Sequence, residues 1–125
     1  MILSMIEGFG PNNASINQLL LNAKNGRGVQ AHGKPSQSCV AAFLIGAGYR
    51  AFFGVGGWSE KGKTFDDHYM SQFALPLGNP LSDAKYDKVT STWSRKFSKG
   101  VEVSFDCKGN KGVVKGWTWP PDPSE

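Results

Sequence analysis

This chain is poor in the features that commit a sequence to a specialised class. It has only two cysteines, Cys39 and Cys107, in 125 residues, and no CxxC pair, which argues against a thiolate zinc site. No segment approaches the run of about 20 apolar residues that a membrane helix needs. The N-terminus MILSMIEGFG lacks a basic n-region, and its apolar stretch is too short for a secretory h-region. The positive charges are never gathered into a run of five, so the net charge of +4 reads as a solvated basic surface and not as a nucleic-acid footprint. There is no HxH or HExxH spacing, no internal repeat and no low-complexity block. These absences leave the compartment open and predict no membrane span, no metal and no cofactor.

What remains is an ordinary globular composition, 39% apolar and 19% charged, with 16 Gly and 7 Pro as punctuation. The length fits one domain with a real core. The two cysteines lie far apart on different elements and read as small buried hydrophobes, with a single disulfide as the alternative.

The first half alternates strand and helix. Residues 2–6 form an apolar run of strand length that ends at Glu7-Gly8 and a turn-rich stretch. A helix follows, capped by Asn13 or Ser15, with Ile16, Leu19, Leu20 and Ala23 on one face, and it stops at Asn25-Gly26. Residues 29–32 form a second strand. Pro35 or Ser36 opens a second helix with Val40, Phe43, Leu44 and Ala47 on one face, and 51–55 form a third strand. Short strands separated by helices of this length imply right-handed βαβ units and a parallel sheet.

After Val55 the pattern changes. Residues 56–63 read as a loop, and Thr64 caps a short helix to about Phe73. Residues 74–88 read as irregular chain. Three β-like runs follow at 90–97, 101–107 and 112–117, with Val101, Val103, Phe105 and Cys107 on one face and Glu102, Ser104 and Asp106 on the other. The turns at 98–100 and 108–110 suit hairpins, and the Pro-rich tail 118–125 reads as mobile.

One formal motif stands out. GWSEKGKT, residues 57–64, satisfies G-x-x-x-x-G-K-[ST] between a strand and a helix. Trp58 is bulky for a loop whose amides must curl around phosphate, and Asp66 and Asp67 stand where they would repel a nucleotide. Nucleotide binding is therefore a minor reading.

From Phe52 to about Trp117 the order FFGVGGW, DDHY, LPLGNPLSDA, WSRKFSKGVEVSFDC resembles the C-terminal region of glycoside hydrolase-like barrel proteins. The resemblance implies a partial (β/α) barrel-like unit: three parallel strands and two helices, then an antiparallel β extension. A complete eight-fold barrel needs about 250 residues, so the chain is far short of one. It also implies a glycan bound or cleaved at the carboxyl ends of the parallel strands. On that reading Glu7 is the leading acid, since it stands where barrel enzymes place carboxylates. Asp66 or Asp67 is the candidate second carboxylate, with helix capping as the competing role. His32, Trp58, His68 and Tyr69 are candidate substrate contacts, the aromatics by stacking on sugar C–H surfaces. The competing expectation is a non-catalytic interaction protein. Three parallel strands leave edges with unpaired N–H and C=O groups, and the hairpins are expected to cover one of them. The strand at 2–6 is the edge expected to pair with a second copy or a larger protein partner.

Overall fold

The computed structural model describes residues 3–34, 36–48, 51–55 and 77–119. In chain order the elements are β1 (Leu3–Phe9), α1 (Asn13–Lys24), β2 (Gly28–Gly33), α2 (Gln37–Gly46), β3 (Ala51–Val55), β4 (Lys85–Asp87), β5 (Thr92–Lys96), β6 (Glu102–Asp106) and β7 (Lys111–Lys115). β1, β2 and β3 form a parallel sheet in that order, and β4 to β7 form a separate antiparallel meander.

The local signals explain where the helices begin and end. At the start of α1, Asn12 Oδ1 accepts from Ser15 N–H at 2.8 Å, and Ser15 Oγ accepts from Gly10 N–H at 3.2 Å, so two otherwise orphaned amides are satisfied. The cap is thus Asn12, not Asn13 or Ser15. At the far end Gly26 takes φ +69°, its N–H reaches Ala23 O, and Arg27 N–H reaches Asn22 O, the Schellman pattern that left-handed glycine makes accessible. α2 starts at Ser36, whose Oγ accepts from Cys39 N–H at 3.1 Å.

α2 occupies the centre of the molecule. Phe43 packs edge-on against Phe9 of β1 and against Phe53 of β3, which seats the helix on the parallel sheet. Gly46 lies against α1 so closely that a Cβ there would stand 2.7 Å from Leu19 Cβ. On the opposite side a Cβ on Gly112 of β7 would stand 2.4 Å from Ala41 Cβ. Every residue from Ser38 to Gly46 is consequently buried. Val40, Phe43 and Leu44 are in the core as expected, with Ala47 as the C-cap, but Cys39, Ala41, Ala42 and Ile45 are buried too: the helix is apolar all round because it is covered all round. The architecture is β/α/β, with a helix layer between two sheets.

Both crossovers advance the parallel sheet in the same direction, so right-handedness places both helices on one of its faces. The antiparallel sheet packs on the far side of those helices. It does not extend the parallel sheet, so the expectation that the hairpins cover one of its edges fails. Among the described residues β1 and β3 each pair only with β2, and no barrel closes.

The antiparallel sheet manages its own edges. On β7, Gly112 N–H donates to Ser38 Oγ at 3.1 Å and Val114 N–H donates to Gln37 Oε1 at 3.0 Å, so the first turn of α2 serves as the missing neighbour strand. On the other edge β4 is only three residues long, exposed, and carries Lys85 and Asp87. This strand falls within a stretch read from sequence as irregular. The remaining three strands match the runs expected from alternation.

Two further expectations need adjustment. Cys39 and Cys107 are both free, so the disulfide alternative is excluded. Cys39 is buried as expected, but Cys107 is only half-buried and lies within hydrogen-bonding distance of Asn13 Oδ1. Among the described residues no helix is long and apolar enough to cross a membrane.

Candidate site at the carboxyl ends of the parallel strands

The functional geometry grows from one irregularity in β1. Its pairing with β2 runs Leu3↔Gly28 to Ile6↔Ala31 and resumes at Phe9↔Gly33. Glu7 and Gly8 together therefore oppose the single residue His32, a β-bulge in which Gly8 adopts φ +70°. The bulge has a packing cause. Strict alternation from Ile6 would turn Phe9 away from the helices, and the extra residue returns its ring to Phe43 and Phe53. Gly33 accommodates the arrangement, since a Cβ there would lie 2.6 Å from both Phe9 O and Cys39 Sγ.

β2 and β3 pair without interruption, so His32 stands opposite Gly54 and Gln30 opposite Phe52. Two transverse rows result: Glu7-Gly8, His32, Gly54 at the carboxyl end, and Met5, Gln30, Phe52 one step below. Because Ala31 and Phe53 face the helices, Gln30, His32 and Phe52 occupy the other face of the sheet. Phe52 is 60% exposed there. His32 is buried and engaged with a partner. Gln30 Oε1 is shut off from solvent, with no hydrogen-bond partner among the described residues.

Sequence reasoning paired Glu7 and His32 as strand-end residues, and the register places them at neighbouring positions. It set Glu7 just beyond its strand, whereas Glu7 lies inside β1 at the bulge. Gln30 and Phe52 were not singled out. Their signal was available in principle: once Phe53 is assigned to the helix side, alternation sends Phe52 and Gln30 to the site side. Asp66, Asp67, Trp58, His68, Tyr69, the G-x-x-x-x-G-K-T stretch 57–64 and the short helix from Thr64 all lie outside the described residues. Among the described residues no group of three His, Cys, Asp or Glu side chains gathers as a metal site would require.

Over two rows and three strands the register brings together exposed Phe52, Gln30 with a buried Oε1 unpartnered among the described residues, buried His32 and Glu7. Of these, the exposed Phe52 ring is the group open to a ligand, an apolar platform beside the strand ends. No protein family's sequence pattern matches this chain, and no curated protein is similar enough to count as a relative.

Proposed function

We propose that the protein binds a glycan on the face of its parallel sheet turned away from α1 and α2, at the strands' carboxyl ends, with glycoside hydrolase-like chemistry centred on Glu7. The observation that carries this reading is Phe52, a large aromatic side chain 60% exposed on that face, one row below Glu7 and His32. A pyranose presents an apolar C–H face, which is the complement of an exposed aromatic ring. The resemblance of residues 52–117 to glycoside hydrolase-like barrel proteins supports the same ligand class. Cleavage requires a second carboxylate, about 5–5.5 Å from the first for retention or 6.5–9.5 Å for inversion. Asp66 and Asp67, in the segment after β3, are the candidates for it.

Glycan-array screening followed by calorimetry tests the proposal. Phe52→Ala is expected to weaken the selected glycan about tenfold, the equivalent of about 1.4 kcal/mol for one aromatic platform. Glu7→Gln is expected to keep binding and abolish release of a chromogenic aglycone. Absence of any bound glycan, or affinities indifferent to both substitutions, refutes it.

A second reading rests on a separate observation: β1 and β3 each have one strand partner among the described residues. A non-catalytic protein that completes its sheet on a second copy or a larger protein partner would use these edges. Sedimentation at micromolar concentration discriminates, since a stable 13.5 kDa monomer is incompatible with self-pairing.

A further inference from the structure

The outward face of the antiparallel sheet has no role in the site described above, yet it is not a featureless solvated surface. Alternation sends Trp93, Phe97, Val103, Phe105 and Val114 inward and leaves an outer face that is polar apart from Val113, 51% exposed on β7. On that face the register aligns Lys96, Glu102 and Lys115 across β5, β6 and β7. The adjacent row aligns Lys85, Ser94, Ser104 and Val113 across β4 to β7, and the row beyond it Asp87, Thr92, Asp106 and Lys111. Lys96, Glu102, Lys115 and the first of these rows line a depression of about 420 Å³, within the size range of ligand sites.

The electrostatics of the depression are unbalanced. Glu102 is shared by two cations, Lys96 Nζ at 3.4 Å and Lys115 Nζ at 3.9 Å, and no acid matches Lys85 among its lining residues. Three lysines against one glutamate leave two positive charges, apart from Arg95, whose guanidinium is turned inward to the end of α2. The two lysine side chains bonded to Glu102 are 69% and 78% exposed, so these pairs are weak and an incoming anion can displace the carboxylate. Lys96 and Lys115 stand two strands apart, roughly 9–10 Å, with serine hydroxyls in the row beside them.

The geometry points to an acidic glycan, a sulfated oligosaccharide chain, as the ligand of this face. Lys96 and Lys115 flank Glu102 in one row, and Lys85 stands with Ser94 and Ser104 in the next. An anionic chain laid across the strands that displaces Glu102 therefore meets cations in both rows and hydroxyl donors in the second. The arrangement disfavours nucleic acid. Single strands are held by aromatic stacking, and the aromatic residues of β5 and β6 lie on the inner face, while a duplex presents far denser charge than two net positive charges can match.

A heparin-derived hexasaccharide titrated into the full chain, at about 50 and 150 mM salt, tests this. Lys85→Ala, Lys96→Ala and Lys115→Ala are each expected to weaken binding about two- to fivefold, with the affinity falling as salt rises. Glu102→Gln is expected to tighten it by a similar factor, and Lys24→Ala on α1 to leave it unchanged. The glycan bound at the Phe52 face is expected to be indifferent to all four lysine variants, so failure of either site is read separately. Equal loss in Lys24→Ala, no tightening in Glu102→Gln, or a single-stranded oligonucleotide of the same charge binding as well overturns the proposal. Full competition by inorganic sulfate at equal charge does so too, by reducing the face to an adventitious anion site.

Discussion

The side chain whose removal should do most damage for its size is Arg95 on β5. Its Nη1 donates to three carbonyls at the end of α2: Leu44 O at 3.0 Å, Ile45 O at 3.4 Å and Ala47 O at 2.7 Å. Its Nε reaches Ser82 O at 3.3 Å, and its guanidinium carbon lies 5.4 Å from the centre of the Phe97 ring. α2 leaves the helical conformation at Ala47 in extended geometry, without a left-handed glycine, so this arginine is the helix's C-terminal cap and the counter-charge to its dipole. Burial pulls the Arg95 pKa below its ordinary value, with Asp83 acting the other way, but a guanidinium stays charged in proteins. Arg95→Met keeps the aliphatic stem and removes the head. Nη1 has two N–H groups, so two full bonds, to Leu44 O and Ala47 O, are lost with Ile45 O sharing one; at about 1.5 kcal/mol for each bond from a charged donor, the loss should be about 3 kcal/mol. For a chain of this length that lowers Tm by roughly 10 °C. Arg95→Lys should recover only about 1 kcal/mol, because an ammonium lacks the planar fork. Urea melts followed by tryptophan fluorescence, with hydrogen exchange at the last turn of α2, measure both. A loss below about 0.5 kcal/mol in Arg95→Met, or full rescue by lysine, would refute the capping argument.

Two other perturbations follow from the same packing. Burial raises the Cys39 thiol from 9.0 to about 11, an effect that Lys34 partly opposes. Between those values the unfolded chain has lost the proton that the folded chain keeps, so stability falls as pH rises from about 9 to 11, by about 2 kcal/mol at pH 10.5. Cys39→Ala should lack that increment of slope, and parallel pH profiles for the two proteins would refute it. Gly112→Ala puts a methyl group 2.4 Å from Ala41 Cβ and 3.1 Å from Ser38 O, which must prise β7 from α2 at a cost of about 1–3 kcal/mol. Gly109→Ala, where the nearest atom is 3.7 Å away, is the matched control, and equal melting points for the two would contradict the close-approach reading.

The parts of the fold legible in the sequence are those determined by near neighbours. The three parallel strands, two helices and β5–β7 follow from periodicities and turn residues that act over a few positions, as at Asn25-Gly26 and Ser36. What escaped is determined across the chain. The ten residues of α2 show a helical period, but only its two-sided cover explains why no polar face exists, and that cover comes from residues 93–114. Its run from Cys39 to Ala47 without a charged or amide side chain was the available sign. β4 escaped because three exposed residues carry no alternation worth counting, and its existence depends on the partner strand β5.

The candidate site was legible in the same uneven way. Glu7 and His32 emerge from sequence because each stands near a strand's carboxyl end, a one-dimensional property. Their apposition depends on the bulge, and the bulge exists because Phe9 must reach the aromatic cluster of Phe43 and Phe53 on the helix side. Core packing thus sets the register at which the polar residues meet, one face of the sheet dictating the other. The same logic separates the two faces proposed for ligands. The parallel sheet turns its aromatic Phe52 outward because Phe53 is claimed by α2, whereas the antiparallel sheet turns Trp93 and Phe105 inward against the helix layer and is left outside with lysines, hydroxyls, three carboxylates and Val113. The two proposals, a neutral glycan on the Phe52 face and an acidic one on the lysine face, thus fall on opposite sides of one helix layer, each resting on residues that the shared core did not take.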